Sequence, residues 1–353
     1  MKNKFLIGLL AFFAAIMAII IFLNLSNSKT NKNYDFDRNF SKNRILEFDN
    51  KYEWLCNDIT SELFNSNFSS IVEGKLKTDK ERIEYDLYFT DCNFFNIKYR
   101  NLVLPKSNVL LIDNKQVIYS KKFELYKLDL QTNRTIKFDI KNVNICFLIS
   151  LDDKQNKFLF FGGANIKSLY KTGFFIIDMN NNQVIESKIL HTNKNSYDLE
   201  KVTMYVGLFQ KTFNNNIVFT CERNPNIYFF NKDGFYEMEL STIDNTPMPK
   251  IIKDSNNIHF FSRESSKYTN SGVFVDKENI FVFSMASKFL DKIIIDQYSK
   301  HTKDYIQSFQ LDYNGYNSSD IGGIIMCKDR LIIRFELNYA SFKFSRYFDG
   351  NFY

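Results

Sequence analysis

The sequence predicts an all-β fold of recurring four-stranded sheets, set behind one apolar amino-terminal helix. Three observations carry that expectation. Aromatic residues are 17% of the 353, with 38 Phe and 20 Tyr, and such rings suit pleated, half-buried surfaces. One hairpin pattern, NIYFFNKDGFYEMEL from Asn226, returns as ELYKLDLQTNRTIKFDI from Glu124, FFIIDMNNNQVIESKIL from Phe174 and KIIIDQYSKHTKDYIQSFQL from Lys292. Short apolar runs also fall in groups of four at intervals of about 40 to 65 residues, the rhythm of β-propeller blades.

At the amino terminus, residues 5–23 read FLIGLLAFFAAIMAIIIFL, without a charge or a polar side chain. As a helix rising about 1.5 Å per residue the run would measure roughly 28 Å, close to one hydrocarbon thickness. It exceeds the apolar region of a cleaved signal peptide, about 7 to 15 residues, and the first Cys, Cys56, is too distant for a lipoprotein signal. A single-pass membrane anchor is expected. Residues 1–4, with Lys2 and Lys4, then stay cytoplasmic, and the carboxyl-terminal bulk lies outside, periplasmic or extracellular, because long domains translocate largely regardless of flanking charge. Residues 24–44 are polar and aperiodic and read as a tether. Residues 45–353 form the propeller domain.

That domain opens on a mixed stretch, in which EWLCNDITSELF (Glu53 to Phe64) reads as a short helix. From Ile71 the strand signal takes over: Ile83, Tyr85, Leu87 and Phe89 alternate with Glu84, Asp86 and Tyr88, as in a half-buried strand. A first blade is expected around residues 71–98. Four strand runs each follow in 108–140, 145–190, 204–240 and 258–311, and an abbreviated unit closes the chain at 322–347. Six blades result, within a range of five to seven. Inner strands covered on both faces explain near-continuous apolar runs such as FLFF and IIMC. The 12 Gly and 4 Pro are few for so many turns. Asn, in runs at 180–182 and 214–216, is read as filling those turns, because it tolerates the left-handed region.

A common landmark, Asp129, Asp178, Asn231 and Asp296, is read at the third strand of four units, the acids as turn caps that bond neighbouring backbone amides. The hairpin NIYFFNKDGFYEMEL and the run GVFVDKENIFVFS resemble blades of the TolB-like or NHL-like six-bladed propellers. KFLFFGG with FFIIDMNNNQV is similar to one kelch unit, with Val184 where kelch has Trp. The resemblance implies a fold and carries no catalytic residue over. A pair of β-sandwiches is the structural alternative.

Chemistry is sparse. His191, His259 and His301 lie outside metal-ligand spacings, His191 and His301 in polar turns, and no phosphate-cradling or nucleophile-elbow motif occurs. Gly162-Gly163 reads as a bend after a strand. No cofactor and no metal is expected. The polar set singled out for ligand binding is His259, Arg263, Glu264 and Asp276, with Arg223 in a comparable loop of the preceding unit. The five cysteines, Cys56, Cys92, Cys146, Cys221 and Cys327, show no metal spacing. Cys146, Cys221 and Cys327 read as buried small hydrophobes, and a Cys56–Cys92 disulfide stays open. A net charge of +6 with interleaved signs offers no basic stripe for nucleic acid. The leading expectation is an extracytoplasmic binding or scaffold module, with an envelope protein or a small molecule as partner. The alternative is a lactonase-like, metal-dependent hydrolase using axial carboxylates.

Overall fold

The computed structural model describes residues 37–353 apart from 54–61, 68–69, 79–81, 92, 114, 122–123, 153–155, 195, 197, 213, 245, 255–258, 263–266, 286–291, 328–329, 336–337 and 346–353. The anchor segment 5–23 and the Cys56–Cys92 pair lie outside these residues. Among the described residues no helix is long and apolar enough to cross a membrane.

Six antiparallel four-stranded sheets make a six-bladed propeller. Strand β1 (Leu46–Glu53) belongs to the last blade. Blade 1 is β2 (Glu62–Asn67), β3 (Ser70–Thr78), β4 (Arg82–Thr90) and β5 (Lys98–Pro105). Blade 2 is β6 (Asn108–Ile112), β7 (Gln116–Lys121), β8 (Glu124–Asp129) and β9 (Thr135–Phe138). Blade 3 is β10 (Val143–Asp152), β11 (Lys157–Ile166), β12 (Leu169–Asp178) and β13 (Gln183–Asn193). A helical turn, α1 (Leu199–Thr203), leads into blade 4: β14 (Gly207–Lys211), β15 (Ile217–Cys221), β16 (Asn226–Phe230) and β17 (Tyr236–Ser241). The hairpin β18 (Ile251–Lys253) and β19 (His259–Phe261) precedes blade 5: β20 (Asn270–Val275), β21 (Asn279–Ser284), β22 (Ile293–Ser299) and β23 (Tyr305–Leu311). Blade 6 is β24 (Gly323–Cys327), β25 (Arg330–Arg334) and β26 (Asn338–Phe344), with β1 antiparallel to β26 as its outer strand. Inner strands neighbour one another around a ring, β2 to β6 to β10 to β14, then β20 to β24 and back to β2, with β15 meeting β20 between blades 4 and 5.

The core is divided as a propeller requires. Six hydrophobic clusters fill the six seams between blades. Strand periodicity decides which seam each side chain enters. In β11, Phe158 and Phe160 enter the seam between blades 2 and 3, while Leu159 and Phe161 enter the next. In β21, Ile280 and Val282 face blade 4 and Phe281 and Phe283 face blade 6. An apolar run is therefore two faces, each covered by a different neighbour.

Several expectations need correction. Blade 1 begins at Glu62, earlier than the Ile71 start read from sequence, and Glu62 to Phe64, the end of the stretch read as a helix, is strand; residues 54–61 of that stretch lie outside the described residues. Gly162-Gly163 is no bend: β11 runs straight through it. A Cβ at Gly162 would stand 2.0 Å from the Asn144 carbonyl oxygen, beside a bulge in β10 between Ile145 and Phe147, so glycine answers a close backbone approach. The segment read as a tether up to residue 44 is docked at its end. Phe40 forms a parallel bridge with Ser308 on the outer edge of blade 5, Ser41 N–H donates to the Ser308 carbonyl (2.9 Å) and Ser308 N–H to that of Asn39 (2.9 Å).

Asn does fill turns. Of ten non-glycine residues with positive φ among the described residues, six are Asn, including Asn182 and Asn215 of the two runs. Three landmarks are caps on third-to-fourth-strand turns. Asp129 Oδ1 accepts from the amides of Gln131 and Thr132, Asp178 Oδ1 from those of Asn180 and Asn181, and Asn231 Oδ1 from those of Asp233 and Phe235. Asp296 breaks the register. It lies inside β22, and in its blade the turn position belongs to Ser299, whose hydroxyl accepts from Thr302 N–H.

Candidate ligand site

Each blade starts at its inner strand and runs outward by antiparallel turns. One end of the ring therefore collects the turns between second and third strands together with the connections between blades; the opposite end collects the remaining turns. On the first of these faces, above the seam between blades 2 and 3, lies an open cavity of about 440 Å³. Lys106, Ser107 and Asn108, on the connection into β6, form one wall. Ser120, Lys121 and Leu125, at the β7–β8 turn, form the second. Ile140, Val143, Asn144 and Ile145, on the connection into β10, form the third. Leu110 and Ile83 complete the lining.

Cavity and core are continuous, since Leu125 and Ile140 belong to the seam cluster and Leu110, Val143 and Ile145 pack on its edge. The Ser107 hydroxyl is buried and has no partner, although buried polar groups are ordinarily hydrogen-bonded. Among the described residues the charged side chains in the lining are Lys106 and Lys121, both exposed at the mouth. Lys121 sits opposite Glu124 across the turn. That carboxylate is taken by Lys137 Nζ (2.5 Å) and Tyr126 OH (2.5 Å), and the Lys137 bond and then the Tyr126 bond hold its pKa low. The arrangement can accept a ligand with an apolar body and a polar, electron-rich end.

The residues singled out from sequence are dispersed. Arg223, in the β15–β16 turn, lies over the rings of Tyr268 (3.8 Å) and Phe261 (4.5 Å), a cation–π clamp on the same ring face as the cavity. His259 is two residues from Phe261, on β19. Beside Arg223, burial raises the Glu222 carboxyl pKa and the Arg223 charge pulls it back. Asp276 is at the other end of the ring: its Oδ1 accepts from the amides of Glu278 (2.8 Å) and Asn279 (2.5 Å), capping the β20–β21 turn. Asp113 does the same before β7, so Asp276 is a cap, separated from Arg223 by the length of a blade. Arg263 and Glu264 lie outside the described residues. His191 is on β13, not in a turn, and its Nε2 meets Tyr205 OH at 3.3 Å, with burial lowering its pKa, helped by Lys201. His301, in a turn as expected, pairs with Glu278 at 2.8 Å. Cys146 and Cys221 are free thiols, Cys221 fully buried; burial pushes Cys146 up to about 11.

A second polar cluster has a different character. Alternation along β22 sends Ile293 and Ile295 toward blade 6 and Asp296 toward blade 4, where it meets Arg38. Arg38 Nε donates to Asp296 Oδ1 and Nη2 to Oδ2, both at 3.0 Å. Arg38 Nη2 also donates to Asp244 Oδ1 (2.5 Å) and Ser284 Oγ (2.9 Å). Ser284 Oγ donates to Asp244 Oδ2 (3.0 Å), and Ser308 Oγ to Asp296 Oδ1 (2.6 Å). Side chains of Arg38, Asp244 and Asp296 are 5%, 0% and 1% exposed. Burial opposes the Arg38 charge, but the bonds and charges of Asp296 and Asp244 outweigh it and hold the guanidinium protonated. One cation cannot balance two carboxylates. Burial pushes Asp244 up to about 6, Arg38 pulling against it and Asp296 adding to the rise.

Among the described residues no three His, Cys, Asp or Glu side chains gather in a ligand cluster. Within the six inner strands the acidic residues are Glu62, at the start of β2, Glu73 being on the second strand, and Asp152, at the end of β10.

No family model matches the sequence, and no curated protein matches it. Among solved structures, the chain is similar to a streptogramin B lyase (11% identity, 85% of this chain and 98% of that one, TM-score 0.39). It is similar to regucalcin of Agrobacterium tumefaciens, a calcium-binding protein, at 9% identity over 84% and 95% of the two chains, TM-score 0.38. The propeller domain of the Trilobed protease from Pyrococcus furiosus matches at 12% identity over 86% and 99%, TM-score 0.36. At these identities nothing about ligand or activity passes to this chain.

Proposed function

We propose that the chain is a membrane-anchored, extracytoplasmic binding module that holds a ligand or protein partner on the ring face where the inner strands begin. The resemblance of its outer hairpins to those of TolB-like or NHL-like propellers supports this reading. The observation that supports this reading is the cavity above the seam of blades 2 and 3, open, apolar in its depth and lined by polar groups that the fold does not use. A propeller-type hydrolase is the second reading. It calls for axial carboxylates around a divalent ion.

Site-specific photocrosslinking in cells tests the first reading. A photoreactive residue at Lys121, on the cavity mouth, should trap a discrete partner or small molecule; one at Lys277, on the opposite face, should not. Equal trapping at both positions, or none at Lys121, refutes it. A protease added outside the cytoplasmic membrane of intact cells or spheroplasts should digest the propeller; a propeller that survives until the membrane is lysed refutes the extracytoplasmic placement.

A further inference from the structure

We propose that the cavity between blades 2 and 3 is a site for a small amphiphilic anion, its carboxylate at Lys106 and Ser107 and its aliphatic body against Leu110, Val143 and Ile145. The proposal rests on the binding reading above and adds the chemical class of the ligand.

Sign comes first. Among the described residues, both charged side chains that line the cavity are ammonium groups and no carboxylate lines it. Lys121 shares its charge with Glu124, whose oxygens are already taken by Lys137 and Tyr126; Lys106 makes no ion pair among the described residues. An anion completes this site and a cation is repelled from it. Hydrogen-bonding capacity agrees. Ser107 Oγ is buried without a partner. Asn108 and Ser120 line the same space, and their side chains make no hydrogen bond among the described residues. Hydroxyl and amide N–H groups donate to a carboxylate, and charge-assisted bonds of this kind are the stronger ones.

Shape supplies the rest. The apolar part of the lining, Leu110, Val143 and Ile145, is aliphatic and merges with the buried seam, where Leu125 and Ile140 are 3% and 5% exposed. A ligand's apolar end would there leave water for a surface already assembled. At about 30 Å³ for a water-sized group, a volume of 440 Å³ holds roughly fifteen heavy atoms. A short-chain aliphatic acid fits this combination; a metal ion, a sugar or a nucleotide leaves either the lysines or the aliphatic wall without a counterpart.

The test uses the full chain in lipid nanodiscs and a diazirine-bearing aliphatic carboxylate as the probe, with empty nanodiscs subtracted and labelled peptides mapped by mass spectrometry. Label is expected on peptides covering 106–125 and 140–145, displaced by octanoate. Octanol and octyltrimethylammonium should compete at least tenfold less well. The double variant Lys106→Ala/Lys121→Ala should weaken octanoate competition about tenfold, and Leu110→Trp should abolish labelling, with thermal unfolding checking that both variants fold. Ser107→Val, which removes one donor with little change in volume, should weaken octanoate and leave octanol unaffected. If octanol or the quaternary ammonium competes as well as octanoate at these peptides, the anionic class is wrong and the cavity still binds. If no saturable label reaches these peptides with any of the three competitors, the ligand site itself falls.

Discussion

The seam between blades 4 and 5 and the mouth of the seam between blades 2 and 3 both hold polar side chains against an apolar core, and they handle them in opposite ways. At Arg38, Asp244, Asp296, Ser284 and Ser308 the charged groups and hydroxyls satisfy one another inside the protein. At Ser107, Asn108 and Ser120 hydroxyls and an amide belong to residues that line a space, and they use no partner among the described residues. The difference separates polarity that belongs to the fold from polarity available to something else. In the first cluster, removing one group strands the others without water. In the second, removing one group strands nothing.

The largest effect that tests this contrast comes from Arg38→Ala. It leaves two carboxylates buried without a counter-charge, and a loss of about 3–5 kcal/mol is expected in denaturant unfolding. Replacing Arg38 and Asp296 together by Met and Leu should cost far less, because no unpaired charge remains. If the single variant unfolds like the parent, the cluster is not part of the fold's stability.

Next is pH. Asp244 holds its proton more tightly folded, at about 6, than its ordinary value of 3.8. Its stabilising contribution is complete below about pH 4 and is lost as pH rises through about 6. On ~1.36 kcal/mol per unit the fall is at most about 3 kcal/mol, and Asp244→Asn should flatten it in unfolding curves taken from pH 4 to 8.

Smaller is Ser284→Ala, which takes a donor from Asp244 and an acceptor from Arg38 and should cost about 1–3 kcal/mol. Asp178→Ala, which removes a turn cap from blade 3, should cost about 1 kcal/mol, by analogy with helix caps of the same chemistry. Ser107→Ala is the smallest. It should change stability by no more than about 0.5 kcal/mol, and a loss comparable to that of Ser284→Ala would erase the contrast between the two clusters.

How far these features could be read in advance depended on their range. The hairpins were legible because turn chemistry is local: Asp129, Asp178 and Asn231 cap the turns their spacing marks. Blade 6 was legible as three strands, but its fourth, β1, comes from the far end of the chain. Its composition, LEFDNKYE, has too few apolar residues to announce a strand. Asp296 was misassigned because an Asp after three Ile residues looks the same before a turn as inside a strand. Asp276 was placed with Arg223 and His259 because nearness in sequence does not say which end of a blade a turn occupies. The cavity left almost no trace, since Ser, Asn and Lys in interblade connections are ordinary loop residues.

The amino-acid order by itself determined the repeating sheets, the two-faced apolar strands and the Asn-rich turns, all set by contacts within about one blade's length of chain. Ring closure by β1, the burial of Arg38 against Asp244 and Asp296, and the gathering of three connections around one cavity were decided in three dimensions. They join residues that are distant in sequence, and the energy of a buried charge or an unpartnered hydroxyl depends on what the completed ring places beside it.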